Sequence, residues 1–171
     1  MHIFNPKESQ RIADGADVLT PERNLEVLDC LKKAERPIHI SEVTITAPDA
    51  TESGKAIQAI VARNLYRLWF SYPEVMGITW WNVVDGGAAE GEPALSGLYD
   101  RDMIPKPVYN TLDTLINQEW RTRVKLQAEP GQPMTFRGFK GLYRVTWTTQ
   151  QDKVAAAEFT LAKDGDGPTE P

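Results

Sequence analysis

Residues 37 to 45 read PIHISEVTI, and this stretch decides the fold of the chain. Its β-branched residues predict a strand, in which side chains alternate between two faces. Glu42 and Thr44 share one face, and Val43 and Ile45 share the other. Both faces are largely apolar, which is typical of a strand buried in a parallel sheet.

The residues before this strand predict a short strand, a loop and a helix. The letters MHIF at positions 1–4 are interpreted as a strand end, and residues 5–19 as a polar loop. Thr20 is a good N-cap for the helix that follows, and Pro21 suits its first position. Three leucines recur at helical spacing, and Cys30 among them is expected to be a small core residue: Leu25, Leu28 and Leu31.

The residues after the strand alternate in the same way. A second helix is predicted from about Lys55 to Ser71, with an apolar stripe made of Ile57, Ile60, Val61, Leu65 and Leu68. A strand follows at 75–84, VMGITWWNVV, and a third helix starts within 105–120, with Val108, Leu112, Leu115 and Ile116 inward. Strands that alternate with helices predict an α/β fold built of right-handed βα units around a parallel sheet.

The pattern changes near Thr122. Residues 121–163 alternate as β-strands do and predict a small antiparallel extension, which is too short to fold alone and is expected to pack on something else. Residues 164–171 are polar, and we expect a disordered tail there.

Composition narrows the class of function. The 171 residues carry a net charge of -5, which argues against nucleic acid or an anionic membrane as a partner and suits a neutral substrate. The sequence shows neither a membrane-spanning run nor an export signal. One cysteine excludes an internal disulfide. No recognised ligand spacing occurs, so neither a metal nor a cofactor is expected.

Two features of the strands carry chemistry. Glu42 lies in the middle of an apolar strand, where a buried carboxylate is costly unless it is paired or functional. Trp80, Trp81 and Asn82 end the next strand, and flat rings with an amide suit a sugar. The alternatives are a Glu42 bonded to a neighbouring group and tryptophans packed in the core. The two rings must point to opposite sides of their strand, so at most one of them faces a ligand.

The order of several segments resembles glycoside hydrolase family 10, whose members include endo-1,4-β-xylanases. The matching segments run in the family's order across residues 1–120: HIF at 2–4, PIHISEVTI at 37–45, Gln58-Ala59, ITWWNVVD at 78–85, SGLYD at 96–100 and PKPVY at 105–109. The resemblance implies a (β/α)8 barrel, of which residues 1–120 would form about the last three βα units.

The resemblance also implies an activity and its residues. The family hydrolyses β-1,4-xylan with retention of configuration, through a nucleophile and a second carboxyl group about 5 to 5.5 Å away. By its pattern, Glu42 would be the nucleophile and His2 the imidazole that orients it. Trp81, Trp80 and Asn82 would bind xylan or a related β-linked polysaccharide. The family's acid/base residue precedes anything present here, so we expect Met1 to be an internal start of a truncated gene and the isolated chain to lack the complete machinery.

Some residues depart from the family or have a second interpretation. Thr44 replaces the acidic residue that supports the histidine in the family, and the loop GGAAEGEP lacks the family's tryptophan. His39 is expected to be a structural histidine that faces away from Glu42. Asp85 is expected to cap the glycine-rich turn after it.

The alternative function is a non-catalytic carbohydrate-binding or structural fragment, in which aromatic residues of the extension hold a glycan: Trp120, Phe136, Phe139, Tyr143 and Trp147. Exposed barrel edges also predict self-association. The family's substrate implies that the parent protein is secreted or periplasmic.

Overall fold

The computed structural model describes residues 2–3, 6–15, 20–129, 131–149 and 151–162. The chain divides into two compact units, Met1–Leu115 and Ile116–Pro171, which are described separately. The predicted tail at 164–171 lies outside the described residues.

The first unit alternates strands with helices, as the sequence predicts. Its elements in chain order are β1 (His2–Ile3), α1 (Pro6–Ala13), α2 (Pro21–Lys32), β2 (Ile38–Ile45), α3 (Glu52–Phe70), β3 (Val75–Trp80) and α4 (Pro107–Thr114). The three strands form one sheet in the order β1-β2-β3, and both pairings are parallel. The π-helical turn Leu115–Glu119 follows α4 directly.

Helix α1 corrects the prediction of a loop in this part of the chain. Pro6 is its first residue, and its pyrrolidine ring sets a backbone angle that suits the first turn of a helix. The residues that follow include lysine, glutamate, glutamine and arginine, which have good helix propensity. These polar residues show no apolar periodicity, so a helix here escapes a search for an apolar stripe.

Threonine caps set the starts of the two longer helices. Thr20 Oγ1 accepts the backbone N–H of Arg23 at 3.2 Å, which confirms the predicted cap of α2. Thr51 Oγ1 accepts the N–H of Gly54 at 3.1 Å in the same way. Because of this second cap, α3 begins at Glu52 rather than near Lys55.

The core lies between the sheet and α3. Ile3, Val43 and Ile45 are buried on the sheet side, and the buried apolar side chains of α3 are Ala59, Val61, Ala62, Leu65, Tyr66 and Trp69. Trp80 of β3 contacts the ring of Tyr66, with 6.4 Å between ring centroids. This places Val43 on the face that α3 covers, because Val43 pairs with Trp80 in the parallel ladder.

Helix α2 packs through a narrower face than its leucine pattern predicts. Asn24 and Leu28, one turn apart, are its buried residues, whereas Leu25 and Leu31 are 37% and 49% exposed. Cys30 is also exposed, so its predicted place in the core is wrong. Helix α2 therefore buries only the narrow strip of its surface that carries Asn24 and Leu28. Its other apolar side chains are exposed.

Two further apolar positions are corrected by the structure. Ile60 of α3 is 51% exposed and Ile116, after α4, is 44% exposed, although both were expected to face inward. The predicted positions Val108, Leu112 and Leu115 are buried. Most of the predicted inward positions of the two helices are therefore confirmed, and the inward predictions for Ile60 and Ile116 are wrong.

One edge of the sheet is only partly covered. β1 pairs with Thr44 and Ile45 at the end of β2, and no other described strand pairs with the earlier part of that edge. Self-association through this edge stays a prediction.

The second unit contains an antiparallel pair, β4 (Gly141–Thr148) and β5 (Val154–Leu161), as predicted. Tyr143 pairs with Phe159, and their rings stack with centroids 5.4 Å apart. Phe136 packs against both rings. An aromatic cluster therefore supplies the apolar contacts of this small sheet.

Candidate active site on the inner face of the sheet

The side chains of His2, Glu42 and Thr44 meet where β1 pairs with β2. His2 lies opposite Thr44 in the parallel ladder. Its Nε2 lies 3.3 Å from Glu42 Oε2, and its Nδ1 lies 2.9 Å from Thr44 Oγ1. The imidazole thus bridges the carboxylate and the hydroxyl, on the face of β2 that alternation places opposite Val43 and α3.

Glu42 is less buried than its apolar neighbours suggest. Its side chain is 46% exposed, and the ladder between β2 and β3 is irregular at this point. Ile40 pairs with Ile78 and Val43 with Trp80, so β2 uses three steps where β3 uses two. This extra residue is a β-bulge, and bulges redirect side chains near functional sites. The carboxylate is therefore accessible to solvent or a ligand.

The same bulge corrects the prediction for His39. Simple alternation places His39 and Glu42 on opposite faces, but the extra residue between Ile40 and Val43 breaks that alternation. Thr79, which contacts His39, alternates with Trp80 and therefore lies on the face of β3 away from Tyr66 and α3. An open cavity of about 510 Å³ runs along this edge of β2, and every residue from Ile38 to Glu42 takes part in its lining. His39 Nε2 lies 3.0 Å from Thr79 Oγ1, so the imidazole has the polar partner expected of a structural histidine.

The two tryptophans have different surroundings. Trp80 packs against Tyr66 of α3, and its Nε1–H donates to the carbonyl oxygen of Ser96 at 3.1 Å. Trp81 extends the ladder through its backbone N–H, which donates to the carbonyl oxygen of Val43 at 2.9 Å, and it is 46% exposed. Alternation along the chain places Trp81 on the inner face of the sheet, which is the face away from α3 that also carries Glu42. Trp81 is therefore the better placed of the two rings to meet a ligand.

Asn82 is buried and holds the loop that follows it. Its Nδ2 donates to Ser96 Oγ at 2.8 Å and to Glu92 Oε2 at 3.2 Å. Both hydrogens of the amide are engaged, which leaves its oxygen as the atom with capacity for a ligand. The contacts of Asn82 with Glu92 and Ser96 could not be predicted from periodicity, because neither residue belongs to a helix or strand.

A buried ion pair between Asp85 and Lys106 also holds this loop in place. Asp85 Oδ1 accepts from Lys106 Nζ at 2.8 Å and from the backbone N–H of Gly97 at 2.8 Å. The side chains of Asp85 and Lys106 are 6% and 2% exposed. Burial lowers the pKa of Lys106 from its usual value, and the hydrogen bond to Asp85 opposes this shift. Asp85 was expected to cap the adjacent turn, and its pairing with Lys106 corrects that expectation.

Gln58 links this loop to the strand that carries Glu42. Its Nε2 donates to the carbonyl oxygen of Ile45 at 2.7 Å and lies 3.4 Å from that of Leu95. Gln58 is fully buried within α3. The end of β2 and the loop after β3 are therefore held by one side chain.

Gly97 is expected to tolerate no side chain. A Cβ at this position would lie 2.3 Å from the backbone nitrogen of Asp85 and 2.7 Å from the carbonyl oxygen of Tyr99. Because both neighbours are backbone atoms, we expect Gly97→Ala to lower the free energy of unfolding by about 1 to 3 kcal/mol. Urea denaturation followed by circular dichroism measures this. Gly91→Ala is not a suitable control, since Gly91 has a positive φ.

Gly87→Ala is the matched control, because its Cβ would meet atoms of Val84 at 3.2 Å or more. A loss at Gly97 no larger than that at Gly87 would show that the loop backbone moves easily.

The described side chains set limits on other chemistry. No cluster of three histidine, cysteine, aspartate or glutamate residues within the described ranges could hold a metal ion. Among the described residues that line the cavity, Glu42 is the sole carboxylate. None of the helices in the described part of the chain is long and apolar enough to cross a membrane.

Comparison with known proteins gives the class of fold. No family model matches the chain. Part of the chain resembles solved xylanases. Xylanase 10B from Thermotoga petrophila RKU-1, in complex with xylobiose, matches with a TM-score of 0.51 and 20% identity over 59% of this chain and 33% of that one. Native xylanase 10B from Thermotoga maritima matches with a TM-score of 0.51 and 21% identity over the same shares. The chain therefore has a glycosidase-like fold over about three fifths of its length.

A curated relative has a different description. The anti-sigma-I factor RsgI6 of Acetivibrio thermocellus is 31% identical over 129 residues, which make up 74% of this chain and 16% of that protein. The chain thus spans about a sixth of this relative and a third of the two xylanase structures.

Proposed function

We propose that the chain supplies the nucleophile side of a retaining β-1,4-xylan hydrolase of glycoside hydrolase family 10, with Glu42 as the nucleophile. The observation that carries the proposal is the contact of Glu42 with His2 at the end of a parallel strand. The likeness to the two xylanase structures supports the same fold for this region. Residues 1–120 would then form the last βα units of a barrel, whose active sites lie at the carboxyl ends of the strands.

The geometry suits a nucleophile that is held and kept accessible. An N–H on Nε2 of His2 would donate to Glu42 Oε2 and fix the carboxylate, whose other oxygen would attack the anomeric carbon. A bond forms between Glu42 and that carbon as the bond to the leaving oxygen breaks, which gives a covalent glycosyl-enzyme intermediate. Trp81 would offer an apolar surface to the adjacent sugar ring.

Under this proposal, a carboxyl group from outside the described lining of the cavity would act as the acid and base. Retaining enzymes need it about 5 to 5.5 Å from the nucleophile, where it protonates the leaving oxygen and then activates water. Among the described residues that line the cavity, Glu42 is the one that carries a carboxylate. A substrate with a good leaving group needs no protonation, so it can test the nucleophile by itself.

The test is covalent trapping of the full chain with an activated 2-fluoro xylobioside. We expect intact mass spectrometry to show one adduct and peptide mapping to place it on Glu42, because the fluorinated intermediate hydrolyses slowly. Glu42→Gln should abolish the adduct, since the neutral amide cannot displace the leaving group. Glu26→Gln, a change of the same chemistry at an exposed position on α2, should leave it intact.

Absence of an adduct on the wild-type chain, when a complete xylanase is labelled under the same conditions, would reject the nucleophile role. An adduct on another residue would reject it equally.

A second candidate is carbohydrate recognition without cleavage. It is compatible with the curated relative, which is named as an anti-sigma factor and not as a hydrolase. It is also compatible with the exposed aromatic side chains of the second unit, Phe136, Phe139 and Trp147. Calorimetric titration with xylohexaose separates the two candidates: binding that is unchanged in Glu42→Gln, without labelling of the wild type, supports recognition alone.

A further inference from the structure

Glu42 and Thr44, which both contact His2, differ in what they can donate. An ionised carboxylate only accepts hydrogen bonds, whereas a threonine hydroxyl both donates and accepts. Nε2 faces Glu42 at 3.3 Å, so the proton that suits this contact lies on Nε2. Nδ1 faces Thr44 Oγ1 at 2.9 Å, and that hydroxyl can donate to an unprotonated Nδ1. A neutral imidazole with its proton on Nε2 therefore satisfies both contacts.

Thr44 holds its hydroxyl in a fixed place beside Nδ1 of His2. Its side chain is fully buried, and it lies directly opposite His2 in the β1–β2 ladder. A β-branched side chain in a strand has restricted χ1 freedom, so its hydroxyl has few alternative directions. The backbone register and the rotamer together hold Oγ1 beside Nδ1.

We propose that Thr44 is a positioning residue that holds His2 in the tautomer protonated on Nε2, so that the imidazole presents an N–H donor to Glu42. The relevance of this arrangement to catalysis rests on the proposed nucleophile role of Glu42. A carboxylate at position 44 would only accept, which would favour protonation of both ring nitrogens. Thr44 thus makes a neutral His2 compatible with the bridge.

The test reads the two ring nitrogens directly by two-bond ¹H–¹⁵N correlation spectra of the ¹⁵N-labelled full chain at pH 7.5. The chain has two histidines, and His39→Gln assigns the His2 signals by elimination. In the wild type we expect a pyrrole-type Nε2 and an unprotonated Nδ1 shifted by an accepted hydrogen bond. Thr44→Ser keeps the hydroxyl and should reproduce this pattern.

Two further variants change the partner of Nδ1. Thr44→Val keeps the shape of the side chain and removes the hydroxyl, so the hydrogen-bond shift of Nδ1 should disappear. Thr44→Asp should convert His2 to the doubly protonated form at the same pH. A wild-type His2 that is doubly protonated, or protonated on Nδ1, would overturn the proposal, as would identical Nδ1 signals in the wild type and Thr44→Val.

These spectra are independent of the trapping experiment. If Glu42 is not labelled and His2 shows the neutral pattern with the expected response to the variants, the nucleophile role fails and the role of Thr44 stands. If Glu42 is labelled and His2 is doubly protonated, the nucleophile role stands and the role of Thr44 fails.

Discussion

Replacing Lys106 by methionine is expected to lower the free energy of unfolding by about 3 to 5 kcal/mol, because it leaves the buried carboxylate of Asp85 without its cation. The remaining partner of Asp85 Oδ1 is the N–H of Gly97, which carries no full charge. Methionine preserves most of the volume of the lysine stem, so the loss comes from the charge and the hydrogen bonds more than from packing. Urea denaturation at pH 7 measures the change.

A double variant separates the ion pair from the loop that it fixes. Asp85→Asn keeps an oxygen to accept the Gly97 N–H, and it removes the charge that Lys106 balances. Burial lowers the pKa of Lys106, so the charged amine is held at an energetic cost that its partner offsets. We therefore expect Lys106→Met combined with Asp85→Asn to recover most of the loss seen with Lys106→Met alone.

The exposed pair of Lys32 and Glu74 provides the control for the buried one. Both pairs have an N–O distance of 2.8 Å, but Lys32 is 56% exposed whereas Lys106 is 2% exposed. Water screens the exposed pair, so Lys32→Met should cost far less than Lys106→Met. Equal losses in the two variants would show that burial does not govern the strength of the Asp85 pair.

The parallel sheet could be predicted from sequence because its signals are local. The β-branched run at 37–45, the apolar stripe of α3 and the threonine cap of α2 each depend on a few neighbouring residues. Their order implies parallel strands because connections of this kind are almost always right-handed crossovers. Local patterns and the rules of connection therefore suffice for this part of the fold.

The errors have causes that lie outside local pattern. His39 was placed on the wrong face because a bulge after Ile40 inserts one residue into the ladder, and the sequence of β2 contains no glycine to mark it. Cys30 was placed in the core because helical spacing does not show how wide the contact of α2 is. Asp85 was assigned to a turn because its partner, Lys106, is 21 residues away along the chain.

Part of the candidate site could also be predicted from local sequence, and part could not. Glu42 could be selected from sequence alone, as a carboxylate in an apolar strand. The choice of His2 as its partner came from the family resemblance, since nothing near His2 in the chain indicates that it reaches Glu42. The contact of His2 with Thr44 appears only when the register of β1 against β2 is known. The complete site could therefore not be predicted, because the sequence does not show how distant strands align with each other.

Trp69→Ala is the second change expected to have a large effect, with a loss of about 3 to 5 kcal/mol in the free energy of unfolding. Trp69 is 2% exposed and contacts the ring of Tyr66 at 5.7 Å between centroids. Its Nε1–H also donates to Asn24 Oδ1 at 3.1 Å, which ties α3 to α2. The substitution opens a large cavity and removes the hydrogen bond to Asn24 Oδ1.

The neighbouring residues separate these contributions. Trp69→Phe removes the N–H and keeps an aromatic ring, so it should cost part of the full loss. Phe70→Ala truncates an aromatic side chain at the next position, which is 40% exposed, and should cost much less. Unchanged stability in Trp69→Ala would contradict the burial of this ring in the core of the first unit.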